Sequence, residues 1–186
     1  MRIMLFIMLL SASLQGCFPV IAAGAGAGAL MAQDRRTSGA YVEDEAIEVK
    51  AFDRIGKQFK DTVHVNVTSY NRQVLISGEV PSNDVKTQVE RTIANIQNVA
   101  KIHNELAIAG NSSLTARSND ALITSNVKLR FVNDKRFSAN SIKVITERNI
   151  VYLMGIVNHQ EAQAAAEVAS GSSGVSSVVT LFEYVD

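Results

Sequence analysis

The chain is poor in the residues that build most reactive centres. One cysteine in 186 residues makes an intramolecular disulfide impossible and excludes a Cys-rich zinc or iron–sulfur site. The three histidines, His64, His103 and His159, lie far apart with no ligand-like spacing, so neither a metal nor another cofactor is expected. Charge of either sign is not in excess: 18 Lys and Arg balance 18 Asp and Glu. No global field therefore draws the chain to nucleic acid, and an electrostatic partner has to be recognised by a local patch. What the chain does have is an ordinary globular balance, 47% apolar and 19% charged. That excludes disorder over most of its length and suits one domain or two small ones.

The first residues run Met1-Arg2, then the apolar stretch Ile3 to Leu10, then small residues ending in Leu14-Gln15-Gly16-Cys17. A positive end, a short apolar core and small residues in that order make a secretion signal, too short to span a bilayer. The segment resembles the bacterial lipoprotein signal, whose Leu, any residue, Gly or Ala, Cys pattern Leu14 to Cys17 matches. The resemblance implies removal of residues 1–16, a diacylglycerol thioether on Cys17 and an acylated amine. Phe18 stands where lipoproteins of the inner membrane usually carry Asp, so the resemblance favours the inner leaflet of an outer membrane. Several acyl chains hold a protein almost permanently, since each buried methylene contributes about 0.8 kcal/mol. Residues 17–42, with the small-residue run Ala22 to Ala29, read as a flexible tether. Gly24, Gly26 and Gly28 are not a dinucleotide fingerprint, because no strand precedes them and no acidic residue follows at the required distance.

Beyond the tether the chain repeats itself. Val63 to Val67 followed by Val74 to Gly78 matches Ser141 to Val144 followed by Val151 to Gly155. Each pair alternates apolar and polar residues around a polar turn, Asn71-Arg72 or Arg148-Asn149, and reads as a β-hairpin with a glycine at its end. Upstream, Ile47, Ala51 and Ile55 in one copy and Ile123, Val127 and Phe131 in the other recur at helical spacing. Downstream, Ser82-Asn83-Asp84 begins a helix bearing Val85, Val89, Ile93 and Ile96, and its counterpart runs from Asn158 through Ala162, Ala166 and Ala169. A β-branched strand closes each copy, over 99–108 and 175–185. Gly171-Ser172-Ser173-Gly174 lacks the lysine and following helix of a phosphate loop and reads as a turn.

The expected architecture is α+β: two tandem αββαβ units, each a three-stranded sheet covered by two helices, over residues 43–109 and 119–186. Units of this size are marginal by themselves, which favours packing on each other. Residues 110–118 form a polar linker long enough to let them part, and the sequence does not choose between these arrangements. The unit resembles the BON domain. Two of them behind a lipoprotein signal resemble the dual-BON outer-membrane lipoproteins, the DolP family, with Ser118-Asn119-Asp120, Ile123-Thr124, Val151 to Gly155 and Glu161-Ala162 close to that family's second domain. The resemblance implies a non-enzymatic envelope protein that binds anionic phospholipid such as phosphatidylglycerol or cardiolipin. It also implies support of outer-membrane integrity and enrichment at the division site. The family often carries Trp two residues after the position of Asp120; here it is Leu122, and the chain has no Trp.

The two leading helices differ in charge. Glu43 to Lys57 holds five acids and three bases, net minus two; Asp120 to Arg136 holds two acids and four bases, net plus two. Only the second suits an anionic surface. On a helical wheel of about 100° per residue, Leu122 and Leu129 lie about 150° from the core stripe and form an outward apolar stripe. The matching positions of copy one are Ala46 and Asp53, so the stripe is expected in copy two only. The leucines either contact a membrane or pack on the first domain. Leu122, Asn126, Lys128, Leu129, Arg130 and Asn133 are the candidate lipid-binding residues. The alternative is a periplasmic scaffold that recruits an envelope or cell-division protein through a sheet edge or domain interface. No nucleophile elbow, activated cysteine or paired acid and base is present, so catalysis is not expected. His64 alternates with Val63 and Val65 on its strand, which points it at solvent rather than at a ligand.

Overall fold

The structure is a computed structural model that describes residues 34–185; the signal segment, Cys17 and the tether up to residue 33 lie outside the described residues. The first copy comprises helix α1 (Ser38–Phe59), strands β1 (His64–Tyr70) and β2 (Gln73–Val80), helix α2 (Asn83–Ala94), and strands β3 (Lys101–Asn104) and β4 (Ala107–Ile108). The second comprises α3 (Leu114–Asn133), β5 (Ile142–Glu147), β6 (Ile150–Val157), α4 (His159–Ser170) and β7 (Ser177–Tyr184). In each sheet the middle strand, β2 or β6, runs antiparallel to its hairpin partner and parallel to the last strand. The αββαβ order is as expected, except that the last strand of copy one is interrupted at Glu105-Leu106.

Helix boundaries differ from the sequence reading at both starts. Thr37 caps α1 through its Oγ, so the helix begins inside the segment expected as tether. Ser113 does the same for α3, which begins inside the expected linker and leaves only a short crossing between the copies. A hydroxyl that accepts from an orphan helix N–H outweighs the polar composition that makes both segments read as loops.

Each hairpin turns on two residues of positive φ, Asn71 and Arg72 or Arg148 and Asn149, none of them glycine. What holds them is a buried aspartate on the preceding helix. Asp44 accepts the N–H of Asn71 and of Arg72 at 2.8 Å each, and Asp120 accepts those of Arg148 and Asn149 at 2.9 Å each. The matched glycines serve close approach. A Cβ on Gly78 would lie 2.0 Å from the carbonyl oxygen of His64, and one on Gly155 would lie 2.6 Å from that of Ser141. Gly174, at φ 85°, closes the turn of the 171–174 segment against Ile123.

The helices cover one face of each sheet, and the two uncovered faces pack on each other. Val74, Ile76 and Val80 point at α1 and α2, and Val151, Leu153 and Val157 point at α3 and α4. The intervening Leu75 meets Tyr152 and Met154, with Tyr70 completing a third apolar cluster. Polar contacts ring it: Tyr70 Oη donates to the carbonyl of Ser141 (3.1 Å), Lys143 Nζ donates to Glu48 (2.8 Å), and Asn71 and Gln73 donate to Glu183. The copies are therefore joined, which settles what the linker left open.

This arrangement corrects the reading of His64. Its side chain does point away from Val63 and Val65, but that side of the sheet faces the other copy rather than water. Nδ1 lies 2.8 Å from Glu79 Oε2 and 3.8 Å from Glu147 Oε1. Burial opposes ionisation of Glu79, yet hydrogen bonds from His64 and Ser112 outweigh it and hold that carboxyl below its ordinary range. For Glu147 burial wins over the bond from Asn66 and pushes the carboxyl up.

Residues 34–37 strap the start of α1 to both copies. Arg36 pairs with Asp34 and Asp44 and lies over the rings of Tyr70 and Tyr41, while Arg35 pairs with Glu161 of α4 at 2.6 Å. The Arg35 hydrogen bond holds the Glu161 carboxyl below its usual range, with burial opposing. A carboxyl depressed on folding contributes stability above its unfolded pKa and loses it as the pH falls through the folded value. Arg35→Ala is thus expected to lower the melting temperature at neutral pH by a small amount, because Arg35 is over a third exposed and water screens the pair. In acid the difference should shrink to what the Arg35 bond to the Ile156 carbonyl contributes. Melting curves of both proteins from about pH 7 to about pH 2 check this; a gap that widens in acid refutes it.

Candidate functional site

Helix α3 is amphipathic in an unusual sense, with a buried stripe on one side and an apolar one on the other. Asp120, Ile123, Val127 and Phe131 recur at three- and four-residue intervals and face the core, Phe131 meeting Phe137 edge-on at 4.9 Å. That fixes the helix rotation and sends Leu122, Asn126, Leu129 and Asn133 outward along one ridge. Leu122 is 65% exposed and Leu129 63% exposed. The alternative in which these leucines pack on the first domain therefore does not hold.

All six candidates are exposed, but only Leu122, Asn126, Leu129 and Asn133 share the ridge. Lys128 and Arg130 flank the ridge, about 130° to one side and about 70° to the other. Arg130 is steadied by donating to Ser172 Oγ at 3.0 Å, over the turn that follows α4. Lys128 borders a cleft of about 380 Å³ shared with Tyr41 and Glu45 of α1. The charge reading changes in detail. Asp120 is buried in the hairpin turn, and Asp134 is paired with Arg136 at 2.8 Å, which also holds Glu167 at 2.9 Å. The Arg136 hydrogen bond keeps the Asp134 carboxyl below its usual range. Lys128, Arg130 and Lys135 are left as the exposed cations of this helix and its end, and neither acid opposes them.

One exposed apolar residue outside the six lies between the ridge and Lys128. Val132 is exposed and follows Leu129 by three positions, a spacing that marks it in the sequence as well. The expectation that copy one lacks an outward apolar stripe is also corrected. Val42, Val49 and Phe52 are exposed along α1, Phe52 to 81%, at positions offset from those of Leu122 and Leu129 and interleaved with Glu45 and Asp53. The two helices thus present different outward faces, apolar among cations on α3 and apolar beside Glu45 and the Asp53–Lys57 ion pair on α1. No helix among the described residues is long and apolar enough to cross a membrane.

Comparison with known proteins places this geometry in a family. Residues 43–110 and 119–186 each match the BON domain. Outer membrane lipoprotein DolP of Haemophilus influenzae is 37% identical over 175 residues, covering 93% of this chain and 91% of that protein. The 21 kDa hemolysin of Actinobacillus pleuropneumoniae is 32% identical over 154 residues, 82% of this chain and 79% of that one. Among solved structures, the C-terminal domain of CdsD from the type III secretion system of Chlamydia trachomatis covers 74% of this chain, and 96% of its own length, with 10% identity and a TM-score of 0.32. Two BON domains in tandem, joined through their sheets, and the extent of the match to DolP show that the chain belongs to the dual BON-domain proteins of the DolP family.

Proposed function

We propose that this protein is a non-enzymatic outer-membrane lipoprotein, anchored by acyl chains on Cys17 at the periplasmic face, whose helix α3 contacts anionic phospholipid and so supports envelope integrity. Its similarity to the outer membrane lipoprotein of H. influenzae supports the location. The observation that carries the lipid reading is the exposed apolar arc of Leu122, Leu129 and Val132 on one helix, with Lys128 at one edge and Arg130 at the other. Leucine and valine offer apolar area to the acyl boundary while the cations meet phosphate. Without the indole of tryptophan, the contact relies on area and charge rather than on an amphipathic ring. Phosphatidylglycerol and cardiolipin are the proposed ligands. Enrichment at the division site is part of the same proposal and rests on the family resemblance.

Each basic residue near an anionic surface contributes about 1 kcal/mol, so the helix would orient or select while the anchor retains. The mature chain, residues 17–186, carrying Cys17→Ser lacks both the apolar signal segment and the anchor and exposes this weaker term. It should co-sediment with phosphatidylglycerol vesicles at low salt and be released at high salt. Reversing Lys128 and Arg130 to Glu should weaken binding at least about 30-fold, the equivalent of about 2 kcal/mol. Unchanged binding would remove α3 from the assignment.

The exposed Phe52, with Val42 and Val49 on α1, favours a second reading, in which this face recruits an envelope or cell-division protein. Failure of the Cys17→Ser chain to bind vesicles even at low salt would make that reading the better one.

A further inference from the structure

His64, Glu79 and Glu147 converge between the two copies. His64 and Glu79 are cross-strand partners on β1 and β2, and Glu147 ends β5 in the other copy. One ligand atom from each lies within 4.8 Å of the other two. Both carboxylates are buried, Glu79 being 2% and Glu147 5% exposed, which separates this group from the clusters of acids common on protein surfaces.

The chemistry of the set is that of a divalent transition-metal site. One imidazole nitrogen and two carboxylate oxygens form a three-ligand set of the kind zinc accepts, with a fourth position left for water. At metal–ligand distances of about 2.0–2.2 Å, tetrahedral ligands stand about 3.4 Å apart. The 2.8 Å between His64 and Glu79 would open, and the 3.8 Å between His64 and Glu147 would close, each by well under an ångström. Outer partners already orient the ligands: Asn66 Nδ2 donates to Glu147 Oε2 at 2.9 Å, which leaves Oε1 turned toward His64, and the Ser112 N–H donates to Glu79 Oε2 at 3.1 Å. Solvent reaches the group through a cleft of about 580 Å³ lined by His64, Asn66, Arg117, Thr124, Thr146 and Glu147. Arg117 is the cation on that cleft, and its Nε donates to Ser112 Oγ at 3.1 Å.

We infer that His64, Glu79 and Glu147 form a binding site for a divalent transition metal, zinc by preference, that fastens the two BON domains to each other. The metal takes the place of the proton on His64 Nδ1, the neutral imidazole then carrying its N–H on Nε2, and a 2+ ion balances the two buried carboxylates. The site lies away from the α3 ridge and does not depend on the lipid reading.

The mature chain, residues 17–186, carrying Cys17→Ser, stripped with chelator and titrated with zinc chloride by calorimetry, is expected to bind one equivalent with micromolar or tighter affinity. Excess zinc should raise the melting temperature by linkage, whereas magnesium and calcium chloride should not. Glu147→Gln and His64→Gln, each checked by circular dichroism, should each bind zinc at least about 100-fold more weakly and lose the thermal shift. If one variant fails to fold, the other decides. No stoichiometric binding by the parent chain, or binding that persists unchanged in a folded variant of either residue, overturns the site. Unchanged binding would then lie elsewhere, such as at His103 or His159.

Discussion

Asp120→Ala is expected to cost the protein about 3–5 kcal/mol and to melt the second BON domain first. The carboxylate accepts the backbone N–H of Arg148 and Asn149 from a buried position on α3. Hydrogen bonds to a charged acceptor contribute about 1.5–3 kcal/mol each, and two N–H groups left facing an alanine would have no replacement. Those same residues sit at φ 54° and 62°, a region that side-chain-bearing residues occupy at a cost, so the turn relaxes once its acceptor is gone. The loss is a large share of the 5–15 kcal/mol that holds a typical domain. Chemical denaturation of Asp120→Ala against the parent chain measures it. Asp120→Asn, which keeps one acceptor oxygen, should fall between them. A loss below about 1 kcal/mol would mean that the turn stands without the aspartate.

Leu75→Asp is expected to part the two domains while leaving each folded. Leu75 is fully buried, yet it faces Tyr70, Tyr152 and Met154 rather than the helices of its own domain. Removing a buried leucine costs about 2–5 kcal/mol, and a carboxylate in its place has no partner in that cluster, adding the cost of an unpaired buried charge. Water can relieve that cost by entering between the sheets, an escape that Val74 or Ile76 in the helix-covered core would not offer. The parent chain is expected to melt in one transition and the variant in two, and the variant's radius of gyration from solution scattering should be larger at unchanged helix content. A variant that keeps one transition and its compactness would show that the cluster does not hold the domains together.

Much of the fold is legible in the order of the residues. The αββαβ order, the hairpin turns and the core stripes of α1 and α3 follow from residue periods of two and about 3.6, which are local properties of the chain. The outward setting of Leu122 and Leu129 follows too, because once Ile123, Val127 and Phe131 face the core the rotation of the helix is determined. Val132 and the α1 stripe of Val42, Val49 and Phe52 are equally local, but they stand at positions other than those matching Leu122 and Leu129, so a position-by-position match of the two copies passes over them. Burial of the sheet on both faces also leaves a local trace. Read as an alternating strand with its hairpin, Val151-Tyr152-Leu153-Met154 is in fact continuously apolar, which is how a strand covered on both sides reads.

The duplication, the αββαβ order of elements and the charge contrast between α1 and α3 were determined by the sequence, since each is read along the chain. The burial of Asp44 and Asp120, the joining of the two sheets and the meeting of His64 with Glu79 and Glu147 were decided only by tertiary structure. His64 and Glu147 are 83 positions apart and their strands belong to different copies. No local period encodes which open sheet face will cover which, because that choice is made by shape and by the area removed from water when two finished surfaces meet.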